Sequence, residues 1–381
     1  MVCPTMREPK RLLIIAFEPV VLLLVALVVL RILDYPPLDS HPDAQLNRLR
    51  YPSQTIVYRD EDWSRTSTNS HGLIGPDPRP ITDRSVSRIA VLGDSFIEGL
   101  QVYDRQRLTF RLQEMLLASD ALGRAPNVEV WNFGFAGDNT GNEFARWKYQ
   151  VPPKLFDYVV LTVNEGDLLE NRMEDVPGKF GSFLVRDKVG FSLQRNPSFH
   201  AVSPDMLAIR HRFGRLSRAL MELKSRIDSY QQKVADVVRS CGIAAPSSVG
   251  ASTDPAVELS EQRSAELAEE TVSQLLFARD AIHASGSKVL IVAIPSANAM
   301  PAGFYAHVPT RYRLYRALVS EAHRVGLPIL NTYPSIADMI RRGEDPYGFW
   351  DPGGHLNASG NLVVARTIAQ RLVTEGVSTG R

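Results

Sequence analysis

The chain has 381 residues, of which 43 are Lys or Arg, 42 are Asp or Glu and 44% are hydrophobic. A net charge of +1 argues against a polyanion binder, so we expect no nucleic-acid partner, and the hydrophobic content excludes a disordered chain. The two cysteines, Cys3 and Cys241, exclude a disulfide-rich scaffold and a zinc site of four thiolates. The seven histidines other than His355 show no metal-ligand spacing, and we expect neither a metal nor an organic cofactor.

The N-terminus contains an apolar segment, residues 12–30, with a single acidic residue. A helix of that length reaches about 28 Å, close to the hydrocarbon thickness of a bilayer. Three basic residues precede the segment, whereas none occurs between Arg31 and Arg48. The sequence therefore predicts a single-pass anchor in the cytoplasmic (inner) membrane over residues 12–33, with residues 1–11 inside and the remainder periplasmic or otherwise extracytoplasmic. The alternative is a cleaved signal peptide, which the length of the segment and the lack of a small-residue cleavage site disfavour.

The next change of pattern marks the start of a domain. Residues 34–86 are rich in Pro, Asp, Ser and Arg without clear periodicity, which is typical of a spacer that then wraps onto the domain. From residue 87 onwards, apolar β-branched segments alternate with stretches of helical periodicity; the strand-like segments are RIAVLGDS, VEVWNFG, YVVLTVN, KVLIVAIPS and PILNTY. This alternation predicts a three-layer α/β/α sandwich with a mostly parallel sheet over residues 87–381.

A long insertion is expected between the third and fourth strands, because more than 120 residues separate Asn164 from Lys288. Residues 205–240 and 256–285 have helical spacing, with net charges of +4 and −4. These features predict an antiparallel helical hairpin inserted at about 172–286. Two interpretations stay open: a lid or docking surface for a membrane protein or lipid headgroups, and a structural insertion with solvated charged faces.

Polar residues follow three of the predicted strands, at the edge where parallel sheets build their sites. The first strand is followed by GDSF at 93–96, the second ends in NFGFAGD at 132–138, and the third ends at Asn164. A serine at a strand-to-helix turn, here Ser95, presents its hydroxyl and its amide at the positive end of a helix. A glycine amide of the next loop and the Asn164 side chain can donate to the same oxygen, which predicts an oxyanion hole worth roughly 2.7–4 kcal/mol per donor.

A fourth polar segment, WDPGGHLN at 350–357, precedes a helix-like stretch near the C-terminus. Asp351 begins a Pro-Gly sequence typical of a type II turn, which would fold Asp351 back beside the ring of His355. We therefore expect His355 to accept the proton of Ser95 and Asp351 to hold the other ring nitrogen.

These four blocks resemble those of the SGNH, or GDSL-type, hydrolases. The resemblance covers roughly residues 65–180 and 286–375 and leaves the helical hairpin outside. It implies a flavodoxin-like SGNH fold and the following site residues: Ser95 as nucleophile, His355 as base, Asp351 as acid, and Gly137, Asn164 and the Ser95 amide as the oxyanion hole.

Two departures from the family pattern concern the acid and the third block. The family places Asp two or three residues before His, whereas Asp351 lies four before His355. The family reads Asn-Asp in the third block, whereas Asn164 is followed by Glu-Gly-Asp, so either Asp167 takes the place of the missing neighbour or the loop carries an extra turn. Asp94 is expected to pack beside the nucleophile and orient its loop.

The resemblance implies acyl transfer at a serine: an ester hydrolase or O-acyltransferase acting outside the cytoplasmic membrane. Its expected substrates are acylated carbohydrate, such as envelope polysaccharide, or a small ester. The alternative hypothesis is a catalytically silent carbohydrate-binding or assembly subunit of a membrane polysaccharide machine.

Overall fold

A computed structural model of the chain describes most of the residues from 40 to 375. The described residues are 21, 23–30, 40–43, 45–58, 61, 63–83, 85–119, 127–150, 152, 154–176, 181–188, 190–195, 219, 259–300, 308–347 and 354–375.

The regular elements of the described residues are numbered here in chain order. The strands are β1 (Ser40–Asp43), β2 (Asn47–Arg50), β3 (Thr55–Tyr58), β4 (Ser64–Ser67), β5 (Ser87–Leu92), β6 (Val128–Asn132), β7 (Tyr158–Val163), β8 (Ser182–Arg186), β9 (Phe191–Arg195), β10 (Lys288–Ala293) and β11 (Ile329–Asn331). The α-helices are α1 (Ser95–Glu98), α2 (Leu108–Leu117), α3 (Thr140–Tyr149), α4 (Glu165–Glu170), α5 (Glu261–Ala284), α6 (Pro309–Arg324), α7 (Tyr333–Arg341) and α8 (Ala358–Thr374).

The central sheet has five strands in the order β11-β10-β7-β5-β6, and all neighbours in it are parallel. In sequence order this is 2-1-3-4-5, the doubly wound arrangement of flavodoxin-like folds. Every residue of β5 and β7 is buried, because helices cover both faces of the sheet. The five strands predicted from the sequence are therefore confirmed, together with their parallel pairing.

Alternate residues of each strand enter two separate cores. Ile89 and Val91 of β5 pack in the core formed with α2 and α8. Ala90 and Leu92 of the same strand pack in the core formed with α5 and α6. Because side chains of a strand point alternately to the two faces of the sheet, each face packs against its own layer of helices. The predicted α/β/α sandwich is therefore confirmed.

The segment before the sheet consists of two antiparallel hairpins, β1-β2 and β3-β4. Ile56 and Ile74 pack against Leu100, and Ile74 forms an isolated bridge with Asn132 at the end of β6. The predicted spacer thus wraps onto the domain, but as short strands rather than as irregular chain. Strands of only four residues are too short to carry a periodicity that a sequence reading would detect.

The predicted helical hairpin is only partly described. Its second helix corresponds to α5, whose Leu267, Val272 and Leu275 are buried in the core of the α/β sandwich. This helix is therefore the crossover that precedes β10 and not part of an insertion reaching to residue 286, because its apolar face is needed to cover the sheet. The predicted first helix, over 205–240, lies outside the described residues except for Ala219.

Contacts divide the chain into two units: residues 1–39 with 202–254, and residues 40–201 with 255–381. The second unit contains the α/β sandwich. In the first, residues 23–30 are helical, and the rest of the predicted anchor, apart from residue 21, lies outside the described residues. Within the part of the chain that the structure describes, no helix combines the length and the apolar character needed to cross a membrane.

Candidate functional site

The turn between β5 and α1 presents Ser95 at the first position of a helix. Asp94 caps this helix by accepting a hydrogen bond from the Phe96 amide at 2.9 Å. A Cβ on Gly93 would lie 2.3 Å from side-chain atoms of both Ile97 and Thr162, so only glycine allows the turn to pack this tightly. At the first helical position, the amide of Ser95 has no acceptor within the helix.

Ser95 and His355, 260 residues apart in the chain, are in direct contact. The His355 Nε2 atom lies 2.7 Å from the Ser95 Oγ atom. His355 belongs to the loop before α8, and that helix begins at an Asn357 cap that accepts from the amides of Ser359 and Gly360. The structure thus brings the predicted nucleophile and base together at a hydrogen-bonding distance.

Glu61, which the sequence analysis did not single out, occupies the other side of the imidazole. Its Oε1 atom lies 2.5 Å from His355 Nδ1, and its Oε2 atom lies 3.5 Å from the His355 backbone nitrogen. A carboxylate at Nδ1 requires the proton on that nitrogen, which leaves Nε2 free to accept from Ser95. The two side chains are only 10% and 21% exposed, so water weakly screens their interaction.

The position of Glu61 explains why sequence patterns missed it. It lies between β3 and β4, in the segment expected to be a spacer, and it has no motif around it. Asp351, the acid predicted from the sequence, lies outside the described residues, so its role stays a prediction.

Asn164 ends β7 and is held by hydrogen bonds on both sides of its amide. Its Oδ1 atom accepts from the Gly166 amide at 2.6 Å, and its Nδ2 atom donates to Asp94 Oδ2 at 2.7 Å. Asp167 closes a capping box by accepting from the Asn164 backbone amide at 2.8 Å. Asp94 therefore orients the nucleophile loop, as expected, and it also orients Asn164, which was not expected. The second N–H of the Asn164 amide makes no hydrogen bond to any described residue.

Gly137 lies in the loop after β6 with φ at +78°, in the region that favours glycine. Arg48 of β2 donates from Nη2 to the Ala136 carbonyl at 3.0 Å, and its guanidinium lies 5.0 Å from the centroid of the Phe135 ring. The Ala136 carbonyl and the Gly137 N–H belong to one trans peptide, so they point in opposite directions. Arg48 thereby fixes the direction of the Gly137 N–H, which has no protein acceptor among the described residues.

Two buried carboxyl groups that interact electrostatically, those of Asp94 and Glu143, have raised pKa values. Burial raises the pKa of Asp94, although the Phe96 amide and the charge of His355 oppose this effect. Burial and the charges of Asp167, Asp94 and Asp138 raise the pKa of Glu143 well above its usual range. Both Glu143 carboxyl oxygens lack a hydrogen-bond partner within the described part of the chain, so the neutral acid is favoured there. The described residues contain no group of three or more His, Cys, Asp or Glu side chains that could hold a metal ion.

The arrangement can move a proton from a serine hydroxyl to an imidazole and stabilise the imidazolium that results. It also presents N–H groups from Ser95, Gly137 and Asn164 on loops that follow adjacent strands β5, β6 and β7. These are the elements of nucleophilic acyl transfer.

Comparisons with known proteins give only distant structural likenesses. No model of a known protein family matches the sequence, and no curated protein sequence matches it. Among solved structures, an α/β hydrolase enzyme from the metagenome of Lake Arreo is 13% identical with a TM-score of 0.39, covering 77% of this chain and 96% of that one. A lipolytic protein of the G-D-S-L family from Veillonella parvula is 11% identical with a TM-score of 0.37, covering 75% and 97%. A catalytic mutant of an acetylxylan esterase from Geobacillus stearothermophilus is 12% identical with a TM-score of 0.39, covering 77% and 96%. The functional argument therefore rests on the residues of the site.

Proposed function

We propose that the protein is an SGNH-type enzyme that transfers acyl groups through Ser95, as an ester hydrolase or an O-acyltransferase. The 2.7 Å contact between Ser95 Oγ and His355 Nε2 carries the proposal. A serine that merely capped a helix would need no histidine at its hydroxyl, and a loop histidine would need no buried carboxylate at Nδ1.

The reaction begins when His355 Nε2 accepts the Ser95 proton and the Ser95 oxygen attacks the ester carbonyl carbon. The carbonyl π electrons move to its oxygen, and the Ser95 and Gly137 amides with the Asn164 side chain donate to this oxyanion. His355 then gives its proton to the departing alcohol oxygen, and an acyl-serine remains. Water or a sugar hydroxyl then loses its proton to His355 and attacks the acyl carbon. When this second tetrahedral intermediate collapses, the bond to Ser95 breaks, and the Ser95 oxygen regains its proton from His355.

Glu61 takes the role of the acid in this proposal. Its carboxylate holds the Nδ1 proton and stabilises the imidazolium during both proton transfers. Asp351, four residues before His355, is the second candidate for this role, on the basis of the resemblance in its block.

The proposed location is outside the cytoplasmic membrane, on a single N-terminal anchor over residues 12–33. The apolar segment and the basic residues that precede it support this topology. The proposed substrates are acylated carbohydrates, and a membrane partner would bind through the 205–240 half of the predicted hairpin, since α5 is packed on the sheet.

The experiment that tests the proposed activity is hydrolysis of 4-nitrophenyl acetate by the full chain, compared with Ser95→Ala and His355→Ala. We expect both variants to lose about 10³-fold or more in kcat. Ser359→Ala, an exposed serine near His355, is the matched control and should retain activity. Equal hydrolysis by wild type and Ser95→Ala would refute the proposal and favour the catalytically silent subunit. Addition of an oligosaccharide, followed by detection of its acetyl ester, separates the transferase from the hydrolase.

A further inference from the structure

Two large aromatic side chains are exposed beside the loop that carries His355. Trp63 is 49% exposed and Tyr103 is 47% exposed, and their ring centroids lie 6.2 Å apart with an interplanar angle of 62°. Aromatic rings exposed as a pair are costly to hydrate and mark binding surfaces more often than isolated apolar residues do.

The residue two positions before each ring contacts the segment that carries the catalytic base. Glu61, two residues before Trp63, contacts the ring and backbone of His355. Gln101, two residues before Tyr103, donates from Nε2 to the Leu356 carbonyl at 3.3 Å. Two residues span at most about 7 Å, so each ring starts within that distance of a residue bound to the His355 loop.

The carboxylate of Asp104, the residue after Tyr103, is held through one of its two oxygens. Asp104 Oδ1 accepts from the Thr66 hydroxyl at 2.6 Å and forms an ion pair with Arg107, which is buried. The Asp104 side chain is 53% exposed, and its Oδ2 atom makes no hydrogen bond to any described residue. Thr66 and Arg107 therefore orient a half-exposed carboxylate on the residue that follows Tyr103 in the chain.

We propose that Trp63, Tyr103 and Asp104 form a saccharide-binding subsite that holds the carbohydrate carrying the acyl ester. A pyranose ring stacks its C–H groups, which are slightly positive, on the negative face of an aromatic ring. Asp104 Oδ2 accepts hydrogen bonds from sugar hydroxyls, which a hydrocarbon chain could not provide. This combination of flat apolar surface and an oriented carboxylate fits a saccharide better than a lipid acyl chain.

The subsite deepens the proposed function, because it names the residues that hold the carbohydrate carrier of the ester, and it rests on that function. Its position beside the His355 loop would place a sugar unit next to the one that bears the acyl group. The subsite would raise affinity for saccharide esters without affecting the chemistry at the serine.

The first test measures binding without turnover. Full-length Ser95→Ala protein is titrated with cellotriose, xylotriose and chitotriose, and heat is measured by calorimetry. We expect at least one trisaccharide to bind, and Trp63→Ala or Tyr103→Ala in the same background to weaken it about tenfold, the loss of one stacking contact. Tyr149→Ala removes a similarly exposed ring from the end of α3 and is the control that should change nothing. Failure of all three sugars to bind, or equal weakening by the control, would overturn the subsite.

The second test separates the subsite from the proposed activity. With an acetylated form of the bound trisaccharide, Trp63→Ala and Asp104→Asn should raise KM about tenfold, while hydrolysis of 4-nitrophenyl acetate stays within about twofold of wild type. An equal loss on both substrates would show that the rings only support the fold. Loss confined to long-chain 4-nitrophenyl esters would assign the surface to an acyl chain and overturn the saccharide. If wild type hydrolyses neither ester, the proposed function fails, whereas the binding result still decides whether the subsite exists.

Discussion

Replacement of Glu61 by Gln tests the least expected part of the site. The substitution keeps the shape of the side chain and removes its charge. When His355 accepts the Ser95 proton, the imidazolium faces a carboxylate whose Oε1 lies 2.5 Å from Nδ1. The centres of the two charges are then about 4 Å apart, an interaction of about 4 kcal/mol at an effective dielectric constant of about 20.

Since each 1.36 kcal/mol in the barrier is tenfold in rate, Glu61→Gln should lower kcat by about 10³-fold. KM should change little, because the imidazolium forms only during the reaction. The assay is hydrolysis of 4-nitrophenyl acetate, with the free energy of unfolding measured by urea denaturation to confirm that the variant is folded.

Asp351→Asn is the matched comparison, because the resemblance assigns the same role to Asp351. We expect this variant to keep its kcat within a few-fold of wild type. If Asp351→Asn loses activity while Glu61→Gln stays active, the role of Glu61 is refuted. Asp351, the residue predicted from the sequence, would then be the acid that holds His355.

Three further perturbations have defined outcomes. Arg48→Gln should lower kcat about tenfold at constant KM, because it removes the hydrogen bond to the Ala136 carbonyl that orients the Gly137 N–H. An unchanged kcat would show that the Gly137 N–H keeps its orientation without Arg48. Arg50→Gln should lower the free energy of unfolding by about 3–5 kcal/mol in urea denaturation, because it leaves Glu98 buried without its ion-pair partner; a loss below about 1 kcal/mol would contradict this. The raised pKa of Glu143 means that the folded protein holds a proton that the unfolded chain releases, so wild-type stability falls by up to about 1.4 kcal/mol per pH unit above the unfolded pKa. Glu143→Gln removes this dependence, so its stability relative to wild type should rise as the pH increases above the unfolded pKa of the carboxyl. A difference that is independent of pH would contradict the protonated state.

Local patterns predicted the elements whose signals lie within a few neighbouring residues. Apolar segments of strand length predicted all five strands of the sheet, because strands buried on both faces must be continuously apolar. The polar residues that follow them placed Ser95 and Asn164 on loops at the same edge of the sheet, since parallel strands end there together.

The contacts that the sequence could not predict join residues distant in the chain. Glu61 reaches His355 across 294 residues, and Arg48 reaches Ala136 across 88. Both come from hairpins whose strands are only four residues long, and the pairing of such strands depends on the domain they cover and not on their own periodicity. The same limit applies to α5, whose charge pattern indicated a solvated hairpin although its apolar stripe covers the sheet.

The measurement that tests the central claim most directly is covalent labelling of the full chain by a fluorophosphonate serine probe. The contact between Ser95 and His355 predicts rapid labelling of wild type, with the adduct located on Ser95 by peptide mass spectrometry. Ser95→Ala should abolish labelling and His355→Ala should slow it strongly, while Ser359→Ala should label like wild type. Folded wild-type protein that does not react, or that reacts equally after Ser95→Ala, would contradict an activated nucleophile at this site.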